Sequence, residues 1–157
     1  MQNLYPVIRN SARALVIKDN CVLLLRKDGG GRPERFTLPG GAQDTGETLV
    51  DALQRECFEE IGTEVEMEAL VHVADYFKQR NTKLPSHKHL VEFIFRCRVP
   101  DDYLPQNGSD PDKHQVEVVW LPLASLRSVT LYPKSMTSCL QNIQRAAGGS
   151  VYLGLID

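Results

Sequence analysis

Several features of membrane proteins, secreted proteins and proteins stabilised by zinc or disulfides are missing from this sequence of 157 residues. It has no apolar run of membrane-spanning length, and its first residues lack the basic and apolar regions of a signal peptide. We therefore expect a cytoplasmic protein. The four cysteines lie far apart without a CxxC pair, which argues against a zinc site or a disulfide framework.

Basic residues are not in excess. Lys and Arg number 18, Asp and Glu number 20, and the formal net charge is −2 at pH 7. Binding of long nucleic acid through its backbone requires a basic surface, so this composition argues against that partner and indicates no membrane partner. A small anionic substrate such as a nucleotide remains compatible, because a few Lys and Arg and a metal ion neutralise it locally. The sequence leaves a homodimer open.

The sequence does contain enough apolar residues for a globular core, at 42% of the chain. The length predicts one domain over residues 1–157. Hydrophobic periodicity and breaker residues predict a mixed α/β architecture, a mixed sheet between helices in α/β/α layering. We expect strands at 14–17, 22–25, 65–77, 90–99, 116–121 and 151–156, helices at 49–61 and 136–147, and loops at 28–33 and 100–113.

The most informative segment is an acidic helix that follows a glycine-containing loop at residues 40–47. At roughly 100° per residue, Glu56, Glu59 and Glu60 span an arc of about 100° beside the apolar stripe of the helix. Like charges this close raise each other's pKa unless a cation lies among them, and Mg²⁺ or Mn²⁺ with oxygen ligands meets that need. The alternative is a solvated acidic face with ion pairs such as Arg55 with Glu59.

The loop before the helix strengthens the metal-site interpretation. Gly40 and Gly41 bring small residues and free backbone carbonyls close to the helix. Glu47 adds a fourth carboxylate near the helix start and is a further candidate ligand or base. An acidic residue at that place also suits the helix dipole, which is the alternative explanation.

The spacing of these residues resembles the Nudix box. Gly41 is followed after five residues by Glu47, and after seven more by the segment at 55–63, which reads RECFEEIGT. Every Gly, Glu and Arg of this 23-residue pattern is present. Its two aliphatic positions hold Cys57, an apolar substitute, and Thr63, a departure that weakens a packing position and leaves the catalytic set intact.

The resemblance implies a Nudix-like fold with a loop–helix–loop metal site, and a Mg²⁺-dependent pyrophosphohydrolase. The expected substrate is a nucleoside diphosphate derivative or a nucleoside triphosphate. Arg55 would orient the carboxylates by pairing with Glu47 or Glu59. The rival is an inactive nucleotide-binding sensor of the same fold, which a degenerate box would mark. The metal ligands implied by the resemblance are Glu56, Glu59, Glu60 and the carbonyl of Gly41.

The general base is left open by the resemblance. Glu56 and Glu59 are candidates within the box, and Glu92 and Glu117 are candidates outside it. Glu92 is a charged residue inside an apolar strand, where an outward-facing position is the favoured alternative. Glu117 lies at the edge of the long loop, and in related sequences an acid at this place sometimes approaches the metal.

Substrate contacts are the least determined part of the sequence. Four basic residues close before the box are candidates for phosphate contacts, namely Arg26, Lys27, Arg32 and Arg35. Tyr76 is a candidate for stacking on a base. Solvated charge and core packing are the alternatives. Residue 78 is a lysine where many ADP-ribose hydrolases of the family have proline, so no substrate class is indicated.

Overall fold

The computed structural model of the protein describes residues 4–80, 82–84, 86–142 and 150–157. Within them no helix is long and apolar enough to cross a bilayer. The predicted C-terminal helix is present from residue 136 to 142, and its remainder lies outside the described residues. The elements are β1 (Leu4–Lys18), β2 (Cys21–Gly29), β3 (Arg32–Thr37), β4 (Gly40–Ala42), α1 (Leu49–Ile61), β5 (Glu66–Arg80), β6 (Ser86–Arg98), β7 (Gln115–Pro122), a 3₁₀ helix (Leu123–Ser128), α2 (Met136–Asn142) and β8 (Tyr152–Ile156).

The strands form a mixed sheet in the order β3-β2-β1-β6-β5-β8, with β4 paired to β1 and β7 paired to β2. β1 runs parallel to β6 and β8 runs parallel to β5, while the other pairs are antiparallel. Successive side chains of β1 point to opposite faces, so Ala14 packs with α1 and Leu15 packs with α2. Helices therefore cover both faces, and the predicted α/β/α layering is confirmed.

The strands predicted at 14–17 and 22–25 lie in β1 and β2, and local sequence determines the hairpin between them. Asp19 and Asn20 have φ of 50° and 58°, the left-handed pair that a two-residue hairpin turn requires. Ile17 then pairs with Val22, as the apolar pattern indicates.

The glycine-rich stretch is the part of the fold that we predicted incorrectly. Residues 28–33 are a tight reversal between β2 and β3 and not an open loop. Gly29, Gly30 and Gly31 have φ of 92°, 70° and 72°, which allows the chain to turn within two residues. Because β3 begins with Arg32 and Pro33, its sequence has no apolar alternation that would predict a strand.

Helix α1 begins and ends at the predicted residues. The Thr48 hydroxyl caps its N-terminus and forms a capping box with Asp51, and Gly62 ends it with a left-handed φ of 72°. Its buried face includes Cys57, which is fully buried as an apolar substitute, and also Glu60. The fold thus carries one glutamate of the acidic cluster inward, toward the sheet.

The loop at 100–113 is irregular, as predicted, and it packs against the C-terminal end of α1. The amide of Gly108 donates to the Glu60 carbonyl (3.0 Å) and that of Asp110 to the Glu59 carbonyl (2.9 Å). These bonds satisfy carbonyls that a helix end otherwise leaves without partners. The acidic end of α1 is therefore held between this loop and the sheet.

Candidate functional site

The candidate site forms where α1 crosses the short strand β4. A Cβ built on Gly41 would lie 2.5 Å from Cδ of Glu56, so glycine at this position lets the carboxylate rest against the backbone. Glu60 is 3% exposed, and one of its carboxylate oxygens accepts a hydrogen bond from the Gly40 amide at 2.7 Å. Two glutamates of the helix are thereby brought to the Gly40–Gly41 peptide units.

The Gly40 peptide is held on its carbonyl side as well. Gly40 has φ of 124°, and a Cβ there would lie 2.1 Å from the Ala12 carbonyl oxygen, so the position requires glycine. The guanidinium of Arg13 donates to the Gly40 carbonyl and, from Nε, to Glu92 at 3.1 Å. Sequence analysis missed Arg13, although an arginine inside an apolar strand was a usable signal.

The prediction that Glu92 faces outward is wrong. Its residue exposure is 3%, and it lies among the buried residues of β6. The physical reason is Arg13, whose guanidinium neutralises the Glu92 carboxylate and donates a hydrogen bond to it. The buried charge of Glu92 is therefore tolerated. Desolvation lowers the pKa of Arg13, but the nearby charges of Glu92 and Glu60 outweigh it and the pKa is raised.

Arg55 connects the remaining carboxylates of the segment. It binds Glu47 with two nitrogens, at 2.6 Å from Nε to Oε1 and 3.0 Å from Nη2 to Oε2. Its Nη1 donates to Glu56 at 3.0 Å and to Glu59 at 3.4 Å, and Nη2 also donates to the Ala42 carbonyl. Arg55 thus pairs with Glu47 and Glu59, the two partners considered from the sequence, and also with Glu56.

The electrostatics separate these carboxylates into two groups. Hydrogen bonds from Arg55 lower the pKa of Glu47 to about 2. Burial raises the pKa of Glu60 to about 8, against the opposing effects of the Gly40 amide and the charge of Arg13. Burial also raises the pKa of Glu56, which Arg55 opposes. Glu56 and Glu60 are therefore the carboxylates for which a cation would favour the charged form.

The donor chemistry at this place fits a hard divalent cation. Glu56, Glu60 and Gly41 line one cavity of about 530 Å³ and offer oxygen atoms, the ligands that Mg²⁺ prefers. Glu59 lies outside that lining and connects to it through Arg55. Among the described residues, no three His, Cys, Asp or Glu side chains converge into a metal-binding group. Hydrogen bonds to Arg55 and to the Gly40 amide hold the carboxylates in their separate directions.

A second cavity of about 460 Å³ adjoins the first, and four residues line both. Arg35 and Tyr76, two of the predicted substrate contacts, lie in this second cavity. Arg35 is 8% exposed, and burial raises the pKa of Tyr76 to about 12. The apolar and aromatic lining consists of Leu38, Tyr76, Ile94, Tyr132, Pro133, Met136 and Ile156. The residues shared by both cavities are Arg13, Arg32, Lys78 and Asp112.

Five predicted site residues line neither cavity: Glu47, Arg55 and Glu59, which are joined by the hydrogen bonds of Arg55, and Arg26 and Glu117. Arg26 and Glu117 are direct cross-strand partners on β2 and β7, and their side chains form an ion pair at 2.7 Å. Arg26 also pairs with Glu34 at 3.1 Å. Neither Arg26 nor Glu117 lines the two cavities, because each is held by its neighbour on the sheet.

Sequence analysis named Lys27 as a candidate phosphate contact and missed its burial and its partner. Lys27 is 8% exposed and forms an ion pair with Asp112, which comes from the long polar loop. That pair lines the second cavity, and Lys27 and Asp112 are 85 positions apart in the chain. No local pattern connects them.

Comparisons with known proteins agree with this geometry. A family model described as the NUDIX domain matches residues 7–141. The human 8-oxo-dGDP phosphatase NUDT18 is 35% identical over 89 residues, covering 57% of this chain and 24% of that protein, so this chain spans about a quarter of that relative. The nucleoside triphosphatase NudI of Enterobacter sp. (strain 638) is 35% identical over 134 residues, covering 80% of this chain and 84% of that protein. A NUDIX hydrolase structure from Nitrosomonas europaea superimposes with a TM-score of 0.69 at 20% identity, covering 97% of this chain and 80% of that one.

Proposed function

The chain belongs to the Nudix family of hydrolases, and on that premise we propose that it uses Mg²⁺ to cleave a diphosphate bond in a nucleotide. The substrate is a nucleoside diphosphate derivative or a nucleoside triphosphate, and Mn²⁺ is a compatible substitute ion. The observation that carries the proposal is the placement of Glu56 and Glu60 against Gly40–Gly41, in a cavity whose other walls are cationic.

Oxygen atoms of the box would hold the ion. These are the carboxylates of Glu56, Glu59 and Glu60 and the carbonyl of Gly41, to which the Ser11 hydroxyl donates at 3.2 Å. When bound, Mg²⁺ neutralises phosphate charge and makes a coordinated water more acidic. Arg55 has a positioning role, since it ties Glu56 and Glu59 to the bidentate partner Glu47.

The chain's own groups supply binding and proton transfer. The oxygen of a water forms a bond to one phosphorus, the bond from that phosphorus to the bridging oxygen breaks, and the bridging oxygen leaves with the other phosphate. Glu56 faces the cavity, and the carboxylate oxygen that does not hold the ion accepts the water proton. Arg9 and Lys88 line this cavity and not the second one, and they bind the oxygens of the scissile diphosphate.

Turnover of carboxamide variants tests this proposal. Glu56→Gln is expected to lose about 100-fold or more in kcat, the range in which removal of a general base falls. Glu60→Gln is also expected to lose activity, because the carboxamide removes a charged ligand of the ion. Glu64→Gln is the matched control, because Glu64 is exposed, follows the same helix and lines neither of the two cavities. Near-normal rates for both cluster variants, with a folded protein, would contradict the assignment.

An inactive nucleotide sensor is the remaining alternative, and phosphate release distinguishes it from an enzyme. A sensor binds nucleotide with Mg²⁺ and releases no product. The substrate panel follows from the two relatives, a nucleoside triphosphatase and an 8-oxo-dGDP phosphatase, and adds nucleotide sugars.

A further inference from the structure

Positive charge is concentrated at the two cavities to a degree that the composition does not suggest. Of the chain's 18 Lys and Arg residues, nine line one or both cavities, against four of its 20 Asp and Glu residues. The protein as a whole carries a formal charge of −2. The excess is therefore local, and it indicates a ligand with a high density of negative charge.

At the junction of the two cavities, two of these positive charges lack compensation. Two of the four residues at the junction have ion-pair partners: Arg13 is paired with Glu92, and Asp112 is paired with Lys27. The other two residues of the junction are Arg32 and Lys78. Across the described parts of the chain, no ion pair or hydrogen bond is made by either of these two side chains.

The electrostatic environment of Lys78 favours an anion at the junction. Its pKa is lowered to about 8, first by desolvation and then by the positive charges of Arg13 and Lys27, against the opposing charges of Asp112 and Glu92. A cluster of cations that repel one another is stabilised by an anion placed among them. A phosphate group with several acceptor oxygens meets that requirement for Arg32 and Lys78 together.

We propose that Arg32 and Lys78 form a third phosphate position, and that the substrate is a nucleoside bearing a chain of at least three linked phosphates. The inference rests on the proposed function, in which the two phosphates of the scissile bond lie beside Glu56 and Glu60, whereas Arg32 and Lys78 line the same cavity where it meets the second one. A phosphate at the junction is then an additional one. Nucleoside triphosphates and dinucleoside triphosphates share this chemistry, whereas a nucleoside diphosphate sugar lacks the third phosphate.

The experiment compares three substrates on four proteins. The substrates are a nucleoside triphosphate, a dinucleoside triphosphate and a nucleoside diphosphate sugar, and the proteins are the wild type, Lys78→Met, Lys78→Arg and Lys18→Met. Lys18 is the charge-matched control, because its ammonium bonds to the Asp101 carbonyl and it lines neither cavity. The wild type is expected to prefer at least one triphosphate compound over the sugar by tenfold or more in kcat/KM. Which compound it prefers shows whether the substrate is a nucleoside triphosphate or a dinucleoside triphosphate.

Lys78→Met is expected to raise KM for the triphosphate compound about tenfold, the size of one lost charge-assisted hydrogen bond. Its kcat/KM for the diphosphate sugar is expected to stay within about twofold of the wild type, since no phosphate of that substrate lies at the junction. Lys78→Arg restores the triphosphate KM, and Lys18→Met behaves as the wild type.

Three outcomes separate this inference from the proposed function. Equal losses on both substrate classes would place Lys78 at the scissile diphosphate and overturn the third position while hydrolysis stands. A wild-type preference for the sugar overturns it as well. If no compound is hydrolysed, the proposed function fails, and calorimetric binding of a non-hydrolysable triphosphate analogue still tests the junction. An unchanged affinity in Lys78→Met would refute the third position.

Discussion

Alanine at position 41 is expected to displace the Glu56 carboxylate with little effect on the fold. The new Cβ would lie 2.5 Å from Cδ and 2.6 and 2.7 Å from the two oxygens of Glu56, whereas ordinary contacts begin near 3.4 Å. The carboxylate must therefore move by about 1 Å, and a misplacement of that size costs roughly 100-fold in rate. The Gly41 backbone lies outside the left-handed region, and the obstructing atoms belong to a flexible side chain, so we expect a stability loss of about 1 kcal/mol or less.

Gly40→Ala is the matched contrast, since it adds the same methyl group one residue earlier. Here φ is 124° and the Cβ would lie 2.1 Å from the backbone oxygen of Ala12, which no side-chain rotation relieves. Backbone strain and overpacking together are expected to cost about 3 kcal/mol or more. The melting temperature should fall by about 6–12 °C for a chain of this size.

The assay measures kcat with Mg²⁺ and the thermal midpoint for each of the two variants. Gly41→Ala should be stable and slow, and Gly40→Ala should be unstable. A Gly41→Ala protein within threefold of the wild-type kcat would show that catalysis does not depend on the Glu56 carboxylate resting against this peptide. A Gly40→Ala protein as stable as the wild type would refute the close approach of β4 to β1.

Further predictions concern the buried ion pair, the core and pH. Glu92→Gln leaves Arg13 without its buried partner and should lower the unfolding free energy by about 3 kcal/mol in urea titrations, while no change would mean that water already solvates the pair. Leu53→Ala, at a fully buried position of α1, should cost about 2–5 kcal/mol in the same assay, and a loss below 1 kcal/mol would contradict the packing of the helix on the sheet. Lys78 loses its positive charge as pH rises through about 8, so kcat/KM for a triphosphate should fall from pH 7 to pH 9.5. The Lys78→Arg protein should lack that fall, and an identical decline in both proteins would assign the titration to another group.

Local signals account for the elements that the sequence predicted well. The capping threonine, the apolar stripe and Gly62 define α1 within its own segment, and Asp19-Asn20 defines the first hairpin in the same way. β3 and β4 were missed because they are short and rich in Gly, Pro and charge, and they exist through pairing with β2 and β1. The burial of Glu92 was missed for a related reason. The sequence of a strand does not show on which of its faces a cation from a distant part of the chain will pack.

By itself, the sequence determined the acidic segment: the spacing of the box places Glu56, Glu59 and Glu60 on one helix, with Gly41 before it and Gly62 at its end. Tertiary structure alone decided what surrounds that segment. Arg13 and Glu92 are 79 positions apart and meet because β1 lies parallel to β6, with Ser11 beside Glu92 in the register. Core packing sets that register over the whole sheet, and for this reason no short window of sequence contains it.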